Sequence, residues 1–471
     1  MSMNCKRFLT VSIIAVIVAV LSGIGNSKTS TEMVKMSISN VRDYGAVGDG
    51  RTKDTAAIQA AIDALAAKGG GRVLLPAGTY LSGTIYLKDH ITLDLEAGAT
   101  ILGSPDKEDY NADDFCEQNA VFAKENVSGA HLIVAVEAKD IAIVGQGAID
   151  GNRQAFYGDE VWEHAPDHFK LKDWRPGQMV FLCECQYVTL SGVSMNNAPY
   201  WTCFLHGCDD VRVSNLHIYN DYRTINGDGL DIDCCSRVNV TNCNISSGDD
   251  SITLRGNVKP LKDKTRICKD VTISNCVLQS RCNAFRIGVG NTTVKNCTLS
   301  NIVVHDSRTG ICIQARYSAK SPGTPIENIQ FENMYLGCKR PINICSDVHG
   351  VHDEDVPMIR NISLHHIRGT GRWSCYILGN TGRQIRNLKL SDIRFDYCGG
   401  ADNVPEEGGR QYAPFGLLSA FYPFYIENIN GIVFEDVHVN VDNADKPLRW
   451  KGKVFMKNCT EGLAEGEQWL Q

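Results

Sequence analysis

The sequence predicts an all-β chain: a right-handed parallel β-helix (solenoid) with a short N-terminal capping helix. Two observations predict it. The first is a repeat of alternating runs that each end in a turn former, as in Val188-Thr189-Leu190-Ser191-Gly192, Val211-Arg212-Val213-Ser214-Asn215, Val238-Asn239-Val240-Thr241-Asn242 and Val271-Thr272-Ile273-Ser274-Asn275. Further copies begin at Ile329, Ile362, Leu388 and Ile432. Alternation with period 2 marks a half-buried strand. The second is the spacing of about 21 to 47 residues between copies, which fits coils that carry loops of differing length. A β-sandwich would instead place hairpin turns between runs about 8–12 residues apart. The pattern also excludes a helix-rich domain.

The elements follow in order. Lys6 and Arg7 precede the apolar run Phe8 to Leu21, and small residues follow at Gly23, Gly25 and Ser27. This is the pattern of a signal peptide over residues 1–27, too short for a membrane span of about 20 residues. The expected location is therefore secreted or periplasmic, with no membrane attachment after cleavage. Residues 37–105 are expected to form an N-terminal capping region with the first coils, and 106–471 a parallel β-helix catalytic domain. Within 54–68, Ile58, Ile62 and Leu65 share a helix face, and Gly69-Gly70-Gly71 stops the helix. That helix is placed to cover strand edges at the open end of the first coil. The Gly triplet follows a helix and lacks the Lys-Ser/Thr of a phosphate loop.

A net charge of −7 excludes a generally basic nucleic-acid binder. The chain has 19 cysteines. In an exported protein these suggest disulfides, but Cys243, Cys276, Cys297 and Cys459 each follow Asn, which favours buried thiols at equivalent coil positions. No paired Cys-x-x-Cys sets occur with His, so no zinc site is expected.

Residues 226–255 carry the chemistry. Asn226-Gly227-Asp228-Gly229-Leu230-Asp231-Ile232-Asp233 is followed by Gly248-Asp249-Asp250-Ser251-Ile252-Thr253-Leu254-Arg255. Aligning Leu230/Ile232 with Ile252/Leu254 sets Asp228 on Asp250, one coil of 22 residues apart. Adjacent strands lie about 4.8 Å apart. Asp249 takes the opposite parity, that of Thr253 and Arg255, the solvent side. Three carboxyls so close raise one pKa and leave a protonated acid beside ionised bases, the division of labour that glycoside hydrolysis needs. Asp beside Gly is also common in turns, and stacked Asp can bind calcium. The flanking glycines permit a bend before each strand, which keeps Asp228 and Asp250 out of the core.

These residues resemble glycoside hydrolase family 28, the polygalacturonase and rhamnogalacturonase group. The resemblance starts at Asp43-Tyr44-Gly45-Ala46-Val47-Gly48-Asp49-Gly50 and runs through Arg175-Pro176 and Pro199-Tyr200-Trp201. Its most specific part is Asn226-Gly227-Asp228 with Gly248-Asp249-Asp250. It implies inversion of configuration without a metal or other cofactor, with Asp249 as general acid and Asp228 and Asp250 holding and deprotonating water. It further implies a pectic substrate. The family's Gly-His-Gly and Arg-x-Lys are replaced by Cys282-Asn283-Ala284 and Cys312-Ile313-Gln314. By column alignment, Arg286 stands one coil before Cys312, and Arg255 two coils before Gln314. Asn226, Arg255, Asn283, Arg286 and Gln314 are therefore the candidate substrate-binding residues. The alternative role for each arginine is a surface salt bridge to Asp231 or Asp233.

Trp174, Trp201, Tyr317 and Trp373 are candidates for stacking on sugar faces. The insert Lys259 to Arg266 carries four positive charges, suited to an acidic polymer or to an ordinary solvated loop. The leading expectation is an exported, monomeric, inverting hydrolase of galacturonan or rhamnogalacturonan. A β-helix polysaccharide lyase and a non-catalytic carbohydrate-binding solenoid are the alternatives.

Overall fold

The structure, a computed structural model, describes residues 37–462 apart from 122, 163–164, 318–320, 348–356, 399–420 and 443–449. The proposed signal segment lies outside the described residues. Among the described residues, twenty-nine strands stack into a parallel β-helix. The repeat seen in the sequence is its inner ladder. Val188 pairs with Val211, Val211 with Val238 and Val238 with Val271. Cys297 then continues the column to Ile329, Ile362, Leu388 and Ile432. All of these side chains are buried in one continuous core. Burying Val, Ile and Leu stabilises by roughly 1.5–3 kcal/mol per side chain, offset by the entropy of ordering the coils.

Most runs end on a left-handed residue that asparagine tolerates, such as Asn242 (φ 56) and Asn275 (φ 57). Several of these asparagines also bond from coil to coil: Asn333 Nδ2 donates to Asn301 Oδ1 at 2.7 Å, and Asn301 Nδ2 to Asn275 Oδ1 at 3.2 Å. The asparagines thus end each run and help fix the register.

Helix α1 (Thr55–Ala66) buries Ile58, Ala61, Ile62 and Leu65. Strands from both sides of residue 105 belong to one stack: Ala99–Gly103 pairs with Ala148–Asp150, and Ile85–Tyr86 with Ile133–Val136. A separate antiparallel pair, Tyr157–Trp162 with Ala165–Leu171, leaves the solenoid. No described helix is long and apolar enough to cross a membrane.

Cys459 and the cysteines from Cys116 to Cys375 are free, and all of these but Cys116, Cys282 and Cys459 are buried. The expectation of equivalent positions needs correction. Cys297 sits between Val271 and Ile329, and Cys459 pairs with Ile429. Of these four, only Cys243 and Cys276 share a column, since Val277 N–H donates to the Cys243 carbonyl. Cysteine thus replaces Val or Ile wherever a column needs a small apolar group. Thiol titration of the native protein should find only Cys116, Cys282 and Cys459 reactive among the described cysteines, and reductant should leave Tm unchanged. A large fall in Tm on reduction would contradict this.

Candidate active site

The site follows from strand register. Asp228 and Asp250 lie two residues before Leu230–Asp233 and Ile252–Gly256. Gly229 N–H donates to the Asp250 carbonyl and Leu230 N–H to that of Ser251, both at 2.9 Å. The coil alignment therefore reaches back to the aspartates and stands them in one column. Ser251 N–H to Asn283 O and Thr309 N–H to Cys282 O, both 2.9 Å, carry it onward. One column thus reads Asp228, Asp250, Asn283, Thr309, Arg340, and its neighbour reads Asp249, Cys282, Arg308.

The bend that presents these groups is tightly packed. A Cβ on Gly248 would stand 2.3 Å from the Thr224 carbonyl oxygen, and one on Gly229 would stand 2.5 Å from that of Ser251. Ser247 Oγ and Ser280 Oγ donate to the Asp249 carbonyl at 2.8 and 2.5 Å. Arg175, fully buried, fixes the preceding turn. It donates to Asn226 Oδ1 at 2.9 Å and to the Ile225 carbonyl at 2.8 Å, and stacks 4.7 Å from the Tyr200 ring.

One carboxylate oxygen each of Asp249 and Asp250 and the Cys282 sulfur lie within 4.8 Å of one another. Asn283, where the family has histidine, donates from Nδ2 to Asp250 Oδ1 at 2.6 Å. Asp228 is 4% exposed, and its Oδ1 has no partner among the described residues. Burial, and then the charges of Asp231, Asp249 and Asp250, hold the Asp228 carboxyl well above the usual range. Burial and the charge of Asp250 push Asp249 up to about 6 against the pull of Cys282, Arg308 and Arg286. The arrangement therefore favours a proton on part of the cluster near neutral pH.

All eight residues singled out in the sequence line one cavity of about 400 Å³. They do not act alike. Arg255 stands 3.6 Å from Asp231 and 3.4 Å from Asp233, with its guanidinium 4.4 Å over Trp201. This is a buried network, not a surface salt bridge, because loops cover the outer face of the sheet here. Asp231 is pushed up to about 7 by burial, with Arg255 opposing. Arg286 has no such pair. It stands in the column of Cys312 as aligned, 3.8 Å from the Cys312 sulfur and over the Tyr317 ring at 5.0 Å. Gln314 is reached from Arg255 only across a register shift at Val289 (φ 67), and its Oε1 is unpartnered. Asn226 lines the cavity while its Oδ1 is held by Arg175.

A second cavity of about 1030 Å³ adjoins the first and shares Asn226, Asp249, Cys282, Arg308 and Tyr317 with it. Trp373 lines this second cavity. Trp174 instead packs on Phe156 and Tyr110. The charged insert lines neither cavity: Lys262 pairs with Glu137, Arg266 with Asp209, and Leu261 joins an apolar cluster. Sequence reasoning missed Arg308. Extending the alignment one residue before the Asp228–Asp250 column would have stacked it on Cys282 and Asp249.

Fold and site together define a carbohydrate-processing β-helix with a three-carboxylate centre. Residues 72–407 match the model of glycosyl hydrolases family 28, and the chain belongs to that family. It is 30% identical over 320 residues to an exo-poly-alpha-D-galacturonosidase of Dickeya chrysanthemi, covering 59% of this chain and 50% of that protein. It is 29% identical over 226 residues to a probable polygalacturonase of Vitis vinifera, covering 45% and 43%. The chain thus spans about half the length of these curated relatives. The family 28 exopolygalacturonase of Yersinia enterocolitica superposes with a TM-score of 0.69 at 20% identity over 93% of this chain and 80% of that one. An exopolygalacturonase from Thermotoga maritima gives 0.64 at 19%, covering 90% and 92%. These likenesses show the fold.

A raised carboxyl pKa weakens the fold at high pH. Stability tied to the Asp249 proton is complete below the unfolded value of 3.8 and is lost as pH rises through about 6. Asp249→Asn should therefore raise Tm at about pH 7–8 and leave it nearly unchanged at about pH 4. An equal shift at both pH values, measured by scanning calorimetry, would contradict the raised pKa.

Proposed function

We propose that the protein is an inverting hydrolase of pectic galacturonan or rhamnogalacturonan that is exported by its N-terminal segment. The observation that carries this reading is the stack of Asp228 on Asp250 with Asp249 beside them, one Asp228 oxygen being buried without a partner. Asp249, protonated at the start, donates its proton to the glycosidic oxygen as that bond breaks. Asp228 and Asp250 orient a water molecule, and Asp250 takes its proton as the water attacks the anomeric carbon from the opposite face. Asn283 holds one oxygen of Asp250 and so fixes that carboxylate while it receives the proton. The net reaction adds water across the glycosidic bond and returns each carboxyl to its starting state after proton exchange with solvent.

A lyase reading draws no comparable support. Among the described residues, the one group spaced to hold a metal ion is Asp249, Asp250 and Cys282. A thiol is a soft donor that calcium does not favour. The names of the relatives, an exo-poly-alpha-D-galacturonosidase and a probable polygalacturonase, agree with a galacturonan substrate.

Two measurements test the mechanism. Asp249→Asn should lower kcat by roughly a thousandfold, within the usual contribution of a positioned acid. Near wild-type turnover would remove Asp249 from this role. Proton NMR of the earliest products should show the inverted anomer. Retention, or an unsaturated product, would overturn the assignment.

A further inference from the structure

Two arginines beside Asp249 have no carboxylate partner. Arg286 is 8% exposed, and among the described residues its Nε is unpartnered and its one hydrogen-bond contact is the Cys312 sulfur. Arg308 is partly buried and rests on the Cys282 sulfur. No described carboxylate lies within ion-pair distance of either. A neutral thiol is a weak acceptor. Holding a guanidinium out of water on such a partner is costly unless an anion completes the site. The family's own cations are replaced by Cys312 and Gln314, and Arg286 and Arg308 are the cavity-lining cations whose charges act on Asp249. They also differ in place. Arg286 lines only the first cavity, whereas Arg308 lines both. Asp249 lies at the junction, lining both.

The first cavity is bounded along the solenoid axis. Arg286, Cys312 and Asn343 line it, and they belong to the outward column Asp231, Thr253, Arg286, Cys312, Asn343. On the N-terminal side this column continues as Phe204, Phe181 and Val134, which are buried in an apolar cluster with Trp201 and Leu261 outside the solenoid. On the C-terminal side it continues as Tyr376, Tyr425 and Phe455, with Phe455 stacked 4.9 Å from Tyr425. The polar stretch between Phe204 and Tyr376 spans six coil steps, roughly 29 Å at about 4.8 Å each. Asp231 and Arg255 already fill its N-terminal end. The larger second cavity opens from the Asp249 side and carries Arg308, Lys339 and Trp373.

Building on the hydrolase reading, we propose that the site takes the end of an acidic chain, with a uronate on each side of the bond that is cut. The terminal uronate occupies the first cavity with its carboxylate on Arg286. The next occupies the second cavity with its carboxylate on Arg308. The bond between them lies at Asp249, and the rest of the chain leaves past Lys339 and Trp373. The planar guanidinium suits a bidentate carboxylate. Each turnover adds one water and releases one uronic acid. A strict alternation of uronate with a neutral sugar cannot satisfy both arginines, so a homogeneous galacturonan fits better than a rhamnogalacturonan.

The probes are α-1,4-linked galacturonate oligomers of three to six sugars, free and methyl-esterified, labelled at the reducing end. Wild-type protein should release monomer as the sole small product from the first turnovers. Esterifying either of the two terminal sugars should lower kcat/KM by about tenfold or more, the scale of one charge-assisted hydrogen bond. Arg286→Gln and Arg308→Gln should each lower kcat/KM on free oligomers by about 10- to 100-fold and change that on esterified ones far less. Early release of mixed internal fragments would overturn end-on binding. Equal loss in the variants on both forms, or indifference of the wild type to esterification, would overturn the arginine assignment. Hydrolysis of neutral glycans with none of any galacturonate oligomer would instead overturn the substrate class proposed above.

Discussion

Strand register is the constraint on which the rest depends. In a parallel β-helix, residues one coil apart in the same column are neighbours at about 4.8 Å, however far apart they lie in sequence. The inner columns of Val, Ile, Leu and Cys lock that register from Val188 to Ile432. Once it is locked, Asp228 must stand on Asp250, Asp250 beside Asn283, and Asp249 beside Cys282. A slip of one residue would turn the apolar sets outward, at a cost no local contact could offset. The core therefore positions the chemistry, and the bends at Gly229 and Gly248 present it.

That positioning opposes stability locally. Like charges are held together in partial burial, and Asp228, Asp231 and Asp249 all carry raised pKa values. The large solenoid core tolerates this. Arg255 pairs with Asp231 and Asp233 at one end of the site, whereas Asp228, Asp249 and Asp250 have no ion pair among the described residues, and Asp249 feels Arg286 and Arg308 only at longer range. Arg175 works from behind, tying Asn226 and the Ile225 carbonyl to one buried guanidinium. Rigid support beneath and unsatisfied charge above is the arrangement expected of a preorganised site.

The sequence made much of this legible because the solenoid converts periodicity into position. Pairing Leu230/Ile232 with Ile252/Leu254 placed the aspartates in one column, and the same step set Arg286 by Cys312. The reading weakened where the backbone departs from strict alternation. The register shift at Val289 separates Arg255 from Gln314. The column of Asp249, Cys282 and Arg308 lies outside the alternating runs used for the alignment. The outer face was least legible. Whether an outward residue meets solvent, an apolar cluster or a cavity depends on loops from other coils, so Arg255 was expected at a surface and lies in a buried network. The insert 259–266 was considered as an attractive patch, yet Leu261 anchors it over Phe204 and Trp201.

The central claim is that coil stacking raises the Asp249 carboxyl to about 6, so that it still carries a proton in mildly acidic solution. Carbon-13 NMR of aspartate-labelled protein, with the Asp249→Asn spectrum as the difference reference, reads that carboxyl directly. A titration near pH 6 that moves downward in Asp250→Asn would agree with the account. A titration near 4 in the wild type, unmoved by Asp250→Asn, would contradict it.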